Sequence, residues 1–331
     1  MRATSTNQFD ASSAGSVPPL ERVRERVWAL GTAMPGGHIP YSLLYLVRDA
    51  ADGVHVIDPG WASDENWAGL LGALAAIGSG LSAVGSITAT HLHPDHIGMA
   101  QRLRGETGAP VQVHALEARA LATIGDGGWT PSALAHELDE WRVPAGRREE
   151  LERVLVGAPL QPSVQVDRVI DDDDRLDIPG FDLVAMHTPG HTPGSISLRD
   201  DANGLVLTGD TILPIMHAGL GLGGPTDTNP ISDYLASLAA LGRYPDHEVL
   251  PGHGYRFAGL ADRAGQSVEH HLRRSREVAA ILERDPTASI WDIASGLTWT
   301  AGWQNLSGFF LQSALSQTAM HRDFVARGGL D

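Results

Sequence analysis

The chain contains no cysteine. Disulfides, thiolate metal ligands and cysteine nucleophiles are thereby excluded together. Lysine is also absent, so all 24 basic residues are arginine, which rules out Schiff-base and lysine-nucleophile chemistry. No apolar run approaches the about 18 residues that a membrane-spanning helix needs. Residues 1–19 are rich in Ser and Ala and lack the apolar core of a signal peptide. They are expected to form a disordered tail, with the cytoplasm as the compartment. Positive charge is scarce overall: 24 basic against 40 acidic residues give a formal charge of −16. Nucleic-acid backbones are held by clustered Lys and Arg, so nucleic acid is not an expected partner, nor is a membrane.

What the chain does have is histidine in dense, ordered groups. Thr90-His91-Leu92-His93-Pro94-Asp95-His96-Ile97-Gly98 follows an apolar, β-branched run, Val84 to Thr90. A strand ending there, with a Pro turn and a helix after it, throws His91, His93, Asp95 and His96 around one point. Imidazole nitrogen and carboxylate oxygen are the donors that zinc and other first-row divalent metals prefer. Three later segments repeat the design. Thr188-Pro189-Gly190-His191-Thr192-Pro193-Gly194-Ser195 follows the strand-like Leu183–His187. Leu205-Val206-Leu207-Thr208-Gly209-Asp210 is a buried-strand pattern ending in a carboxylate. Val249-Leu250-Pro251-Gly252-His253-Gly254 ends in an imidazole. Each places one ligand-type residue after a short apolar run, beside Gly or Pro that turn the backbone sharply. If these strand ends converge, seven ligands are available, enough for two metals with a bridging carboxylate.

The order HxHxDH, TPGHTPGS, TGD and PGHG, spread from about Tyr41 to Tyr255, resembles the metallo-β-lactamase-fold hydrolases, nearest in style to the glyoxalase II branch. The resemblance implies a four-layer αββα sandwich. It places His91, His93 and His191 on a first metal, and Asp95, His96 and His253 on a second, with Asp210 bridging. Asp95 and Asp210 are then the candidate catalytic carboxylates, Asp95 serving as a proton carrier only if the second metal is lost. The expected cofactor is a pair of divalent metals, zinc first, with iron and manganese as alternatives.

Such a pair lowers the pKa of a bound water, so a metal-bound hydroxide attacks an acyl or phosphoryl centre. No Gly-x-Ser-x-Gly elbow is present, consistent with a reaction that needs no side-chain nucleophile. The favoured substrate is a small acyl compound (thioester, lactone or ester). Relatives that cleave penicillins with a Cys at the second metal, reduce oxygen with a Glu in place of His93, or hold glutathione with Lys differ from this chain at those positions. Two alternatives remain: a phosphodiesterase or endoribonuclease, and a mononuclear iron persulfide dioxygenase.

Outside the motifs, Asp58 in Asp58-Pro59-Gly60 is either a turn former or a carboxylate orienting a ligand. His217, before the Gly219–Gly224 run, and Tyr255, beside His253, are candidates for touching substrate. His114 and His187 read as structural histidines. The Asp171–Asp174 tract lacks the spacing and Gly of a calcium loop, so it reads as a solvated turn. A catalytic unit over 20–257 is expected, with a helical insertion at about 115–160 anchored by Trp129, Trp141 and Leu151. That insertion is positioned to overhang the metals or to support a homodimer. It is helix-rich, with Glu117-Ala118-Arg119 and Arg147-Arg148-Glu149-Glu150-Leu151-Glu152-Arg153, and the charge run reads as a solvated helix face. Residues 258–331 form a separate helical appendage that resembles the winged-helix-like end of the lactamase-β-like hydrolases.

Overall fold

The computed structural model describes residues 1–36, 39–125, 131–157, 163–224 and 226–330, with backbone alone at 124–125, 131–133 and 154–157. Trp129, one of the three apolar anchors expected in the insertion, lies outside the described residues.

Two β-sheets face each other. The first runs, in sequence order, through Glu21–Arg24, Val27–Ala33, Tyr41–Arg48, Val54–Ile57, Val84–Thr88, Val111–His114 and Arg168–Ile170. Its early strands are antiparallel, and Tyr41–Arg48 and Val54–Ile57 form the expected hairpin, with Asp52 at φ +67° in the turn. From Val54–Ile57 onward the pairing is parallel, because helices Asp64–Ala76 and Ala100–Thr107 carry the chain back between strands. The second sheet is ordered Arg2–Ala3, Phe257–Ala258, Glu248–Pro251, Leu205–Gly209, Ile196–Asp200, Leu183–His187.

The period-two alternation of strands builds three cores at once. Leu43, Tyr45 and Val47 point between the sheets, where they meet Leu183, Ala185, Leu198, Leu207 and Leu250. Leu44 and Leu46 point the other way, against Trp67, Leu70 and Leu74 of the Ser63-capped helix. On the far side, Val206, Val249 and Phe257 pack under Ile231, Tyr234 and Leu238 of helix Pro230–Leu241. Helix, sheet, sheet, helix is the αββα layering that the motifs imply. A strand covered on both faces has no polar side, which is why Tyr41–Val47 is buried at every position.

Three expectations are corrected. Residues 1–19 are not a disordered tail. Arg2–Ala3 pairs with Phe257–Ala258, and helix Thr6–Ala14 is capped by Ser5 and closed by Gly15 in the left-handed conformation. Its buried Gln8 accepts the Arg256 N–H, and Phe9 meets Tyr255 edge-on. Polar composition concealed this because the segment is tied down by hydrogen bonds more than by apolar burial.

The insertion and the appendage are also not separate pieces. Leu134, Leu138, Trp141 and Leu151 share one apolar cluster with Ile290, Leu311 and Leu315, so helices Pro131–Glu140 and Ala145–Gly157 pack on Ile290–Gly296 and Gly308–Ala326. Finally, the C-terminal region is helical without a wing: among the described residues no strand follows Ala258. No helix among the described residues is long and apolar enough to cross a membrane.

Leu315 is fully buried at the junction of insertion and appendage. Leu315→Ala is expected to cost about 2–5 kcal/mol, read as a lower urea midpoint with an unchanged slope. Proteolysis should then release insertion and appendage together, since they share one core.

Candidate metal centre

The four motifs end at the same edge of the sandwich. The chain leaves strand Val84–Thr88, and Pro94 opens the short helix Pro94–Ile97 that turns Asp95 and His96 inward. His191 comes from the loop after Leu183–His187, Asp210 from the end of Leu205–Gly209, and His253 from the end of Glu248–Pro251. Parallel pairing of the last two strands brings Asp210 and His253 side by side. Gly252 is demanded by the approach: a methyl there would overlap Asp210 Oδ1 and lie 2.5 Å from His96 Cε1.

All seven expected ligands meet. In each of three groups the donor atoms lie within 4.8 Å of one another: His91, His93 and His191; His91, His96 and Asp210; Asp95, His96 and His253. Within the first, His93 Nδ1 is 3.0 Å from His91 Nε2 and 3.1 Å from His191 Nε2. In the last, His253 Nε2 is 3.1 Å from Asp95 Oδ2. Asp210 stands between the two, its Oδ1 3.3 Å from His96 Nε2 and its Oδ2 3.3 Å from His253 Nε2 and 3.6 Å from His191 Nε2.

The far nitrogen of each imidazole shows which way its lone pair points. His191 Nδ1–H donates to Gly219 O at 2.6 Å, His93 Nε2–H to Leu222 O at 3.0 Å, and His253 Nδ1–H to Tyr41 O at 2.8 Å. His91 Nδ1–H donates to Thr90 Oγ1, whose own hydroxyl donates to Asp58 Oδ2. His96 Nδ1–H donates to that same Asp58 oxygen at 2.9 Å. With these protons outward, the inner nitrogens of His91, His93 and His191 present three lone pairs to one point. Asp210 Oδ1 is likewise buried with no aligned donor. Buried acceptors facing acceptors are costly, and a cation is what satisfies them. The donor set therefore fits divalent metal.

The titration of the two halves differs. Burial, and then the neighbouring imidazoles, hold His91 well below the usual histidine range. Burial followed by His93 brings His191 down to about 4. Burial also acts to lower His253, but the Asp210 charge and hydrogen bonds to Asp210 and Asp95 lift it to about 10. His96 is raised against burial by Asp210, Asp95 and Asp58. Burial opposes the ionisation of Asp210, yet His253 and His96 hold it well below the carboxylate range. Without a cation, protons thus occupy the second half while the first stays neutral.

The remaining site expectations divide. Asp58 makes the contacts expected of an orienting carboxylate: besides accepting from His96, it accepts the Thr90 N–H at 2.7 Å from a left-handed turn at φ +51°. Tyr255 packs in the outer core against Phe9, and His217 stacks on His270 at 4.0 Å while bonding Ser267. Both were expected beside substrate; the contacts the structure shows for them are packing contacts with the N-terminal and C-terminal helices. His114 and His187 stack at 4.2 Å as structural partners, and the Asp171–Asp174 turn is exposed. Sequence reasoning missed Glu117, which reads only as part of a helix-rich stretch but is fully buried. Its carboxylate accepts Leu92 N–H and Gly194 N–H. The only sequence signal was its position on the first turn after strand Val111–His114.

A sandwich of this layering, with imidazoles and carboxylates gathered at one edge, defines a metalloprotein of the β-lactamase fold. Residues 40–253 match the family model of the metallo-beta-lactamase superfamily, and the chain belongs to that superfamily. A probable metallo-hydrolase of Bacillus subtilis, YqgX, is 30% identical over 176 residues, 51% of this chain and 68% of its own length. The acyl-coenzyme A thioesterase MBLAC2 of Gallus gallus is 29% identical over 215 residues, 62% of this chain and 68% of its own. These names are consistent with the metal-dependent hydrolase expected from the motifs. Among solved structures, a beta-lactamase domain protein from Burkholderia ambifaria shares the fold with a TM-score of 0.77 at 23% identity, covering 96% of this chain and 90% of its own. A metallo-beta-lactamase family protein from Thermus thermophilus does so at 0.75 and 24%, covering 93% and 95%.

Metal binding should report the asymmetry between the halves. A cation entering the Asp95, His96, His253 group must displace the proton that His253 holds up to about pH 10 and the one that His96 also holds. Affinity there should therefore rise steeply between pH 6 and 9, by about a hundredfold per pH unit where both are protonated. The first triad, with His191 near 4, should bind without proton release over the same range. Calorimetry in buffers of different ionisation enthalpy separates the two steps.

Proposed function

We propose that the protein is a dinuclear metal-dependent hydrolase of small acyl substrates, thioesters first, with lactones and esters in the same class. The observation that carries this reading is the placement of Asp210 between two ligand groups, within 3.3–3.6 Å of His96, His253 and His191. A carboxylate so placed is suited to sharing its oxygens between two cations. Zinc fits the mixed imidazole and carboxylate donors, with manganese and iron as alternatives.

Divalent cations held by these residues would supply Lewis acidity, lowering the pKa of water and polarising a carbonyl. The chain's own residues set the geometry for that chemistry. Asp58 and the carbonyls of Tyr41, Gly219 and Leu222 lock the imidazole tautomers, so each donor atom is aimed before substrate arrives. Burial of His91, His96 and His253 keeps bulk water off one side, while the partly exposed His93 and Asp95 mark the open side where substrate enters.

Gly254, next to His253 in the chain, lines a cleft of about 340 Å³ with Ile39, Pro40, Tyr41, Ile215, Met216 and residues 12–15 at the end of the N-terminal helix, a cleft that none of the seven ligand-type residues lines. Mixed apolar and hydroxyl lining of that size suits a small organic group. The charge of −16 weighs against a polynucleotide. The thioesterase among the relatives puts thioesters first.

A panel of thioesters, lactones, esters, an aryl phosphodiester and single-stranded RNA, tested on zinc-, manganese- and iron-loaded protein, checks the assignment. Acyl substrates should turn over, and His191→Ala should lose both that activity and one equivalent of metal. RNA cleavage without acyl turnover, or oxygen uptake by a one-iron form, would replace this reading with one of its alternatives.

A further inference from the structure

We infer that Glu117 is a positioning residue for the first ligand triad, its single buried carboxylate clasping the loop of His91 and His93 to the loop of His191. The inference rests on the dinuclear reading of the site. Leu92, whose N–H donates to Glu117 Oε2 at 2.7 Å, stands between His91 and His93. Gly194, whose N–H donates to Oε1 at 2.7 Å, stands three residues after His191. The two oxygens thus serve different loops, one each. The second loop approaches so closely that a methyl on Gly194 would lie 2.6 Å from Oε1 and 2.7 Å from the Glu117 nitrogen. This accounts for the second glycine of TPGHTPGS, which carries no positive φ.

A space-filling role alone does not explain the residue. Glu117 is fully buried, and an apolar side chain would fill that volume without desolvating a carboxyl. Burial pushes its carboxyl up to about 7, held back by the Leu92 and Gly194 amides and the Thr192 hydroxyl. The carboxylate is kept in place by these donors against a substantial desolvation cost, so its distinguishing property is the pair of loops it joins. Those loops set the 3.0 and 3.1 Å spacing among His91, His93 and His191. Metal sites tolerate only about 0.2 Å of error in donor distance. Glu117 also lies on the first turn of helix Ala115–Gly125, so the start of the helical insertion is fastened to the triad.

The test uses the full chain titrated with cobalt(II), reading chelator-competed affinity and the visible absorption of each site. Glu117→Gln keeps the shape but turns an amide NH2 toward one N–H, freeing one loop. Affinity at the first triad should fall about 10–100-fold with a changed spectrum, while the Asp95, His96, His253 site keeps its affinity. Glu150→Gln, in the same insertion but paired with Arg147 and Gly308, should leave both sites as they were. If Glu117→Gln does not fold, Gly194→Ala, which pushes on the clasp from the loop side, should show the same selective loss. Two cobalt ions bound at wild-type affinity with an unchanged spectrum overturn the inference. So does an equal fall at both sites, the mark of general loosening. Wild-type protein that binds no cobalt overturns the metal reading itself, and the clasp with it.

Discussion

Three imidazole lone pairs aimed at a common point repel one another, and a folded chain holds them there only if its scaffold is stiff. That constraint organises the molecule. Each inner nitrogen of the first triad is fixed by an outer hydrogen bond, to Thr90 Oγ1, Leu222 O or Gly219 O. The segments supplying those acceptors are in turn held by the sheets. Strand ends are the stiffest places from which to hang a ligand, because every residue behind them is bonded in a ladder and buried on both faces. Asp58 illustrates the arrangement: it sits just past strand Val54–Ile57 and bonds the Thr90 N–H, the Thr90 hydroxyl and His96 at once.

The second ligand group solves the same problem differently. Asp95 and Asp210 place negative charge beside His96 and His253, so protons compensate the carboxylates when no cation does. The two halves share Asp210 but not their electrostatics. One is a set of neutral donors waiting for positive charge; the other is already balanced and must exchange protons for metal. Were both halves to take a cation, that difference would give them a physical reason to fill in order.

The helical regions extend the same frame. The insertion begins at Glu117 under the triad and ends in a core shared with the C-terminal helices. The C-terminal helix Leu260–Arg284 holds the segment after Asp210, through Arg263 donating to Leu213 O and Met216 O. Both additions therefore brace loops of the site, which gives residues beyond the sandwich a role in its precision. The N-terminal helix contributes similarly, lining the cleft at Gly254 and bonding Arg256 through Gln8.

The ligand-type residues that gather at the sandwich edge were legible from residue order alone because their pattern is local: a strand ends, Gly or Pro turns the chain, and a donor lies beside it. His91, His93, Asp95, His96, His191, Asp210 and His253 each carry that signature, and the αββα layering follows from the alternation around them. Residues whose role depends on a distant partner had no such mark. Glu117 reads like any charged helix residue until Leu92 and Gly194 close on it. Tyr255 follows His253 closely and His217 lies in the segment after Asp210, but Tyr255 meets Phe9 edge-on and His217 stacks on His270. The first nineteen residues look unstructured until a sheet edge and Arg256 receive them. Sequence by itself determined which donors exist and where strands present them, since both follow from covalent neighbours. Tertiary structure alone decided what holds those donors, because a hydrogen bond between residues far apart in the chain leaves no trace in either one's neighbourhood.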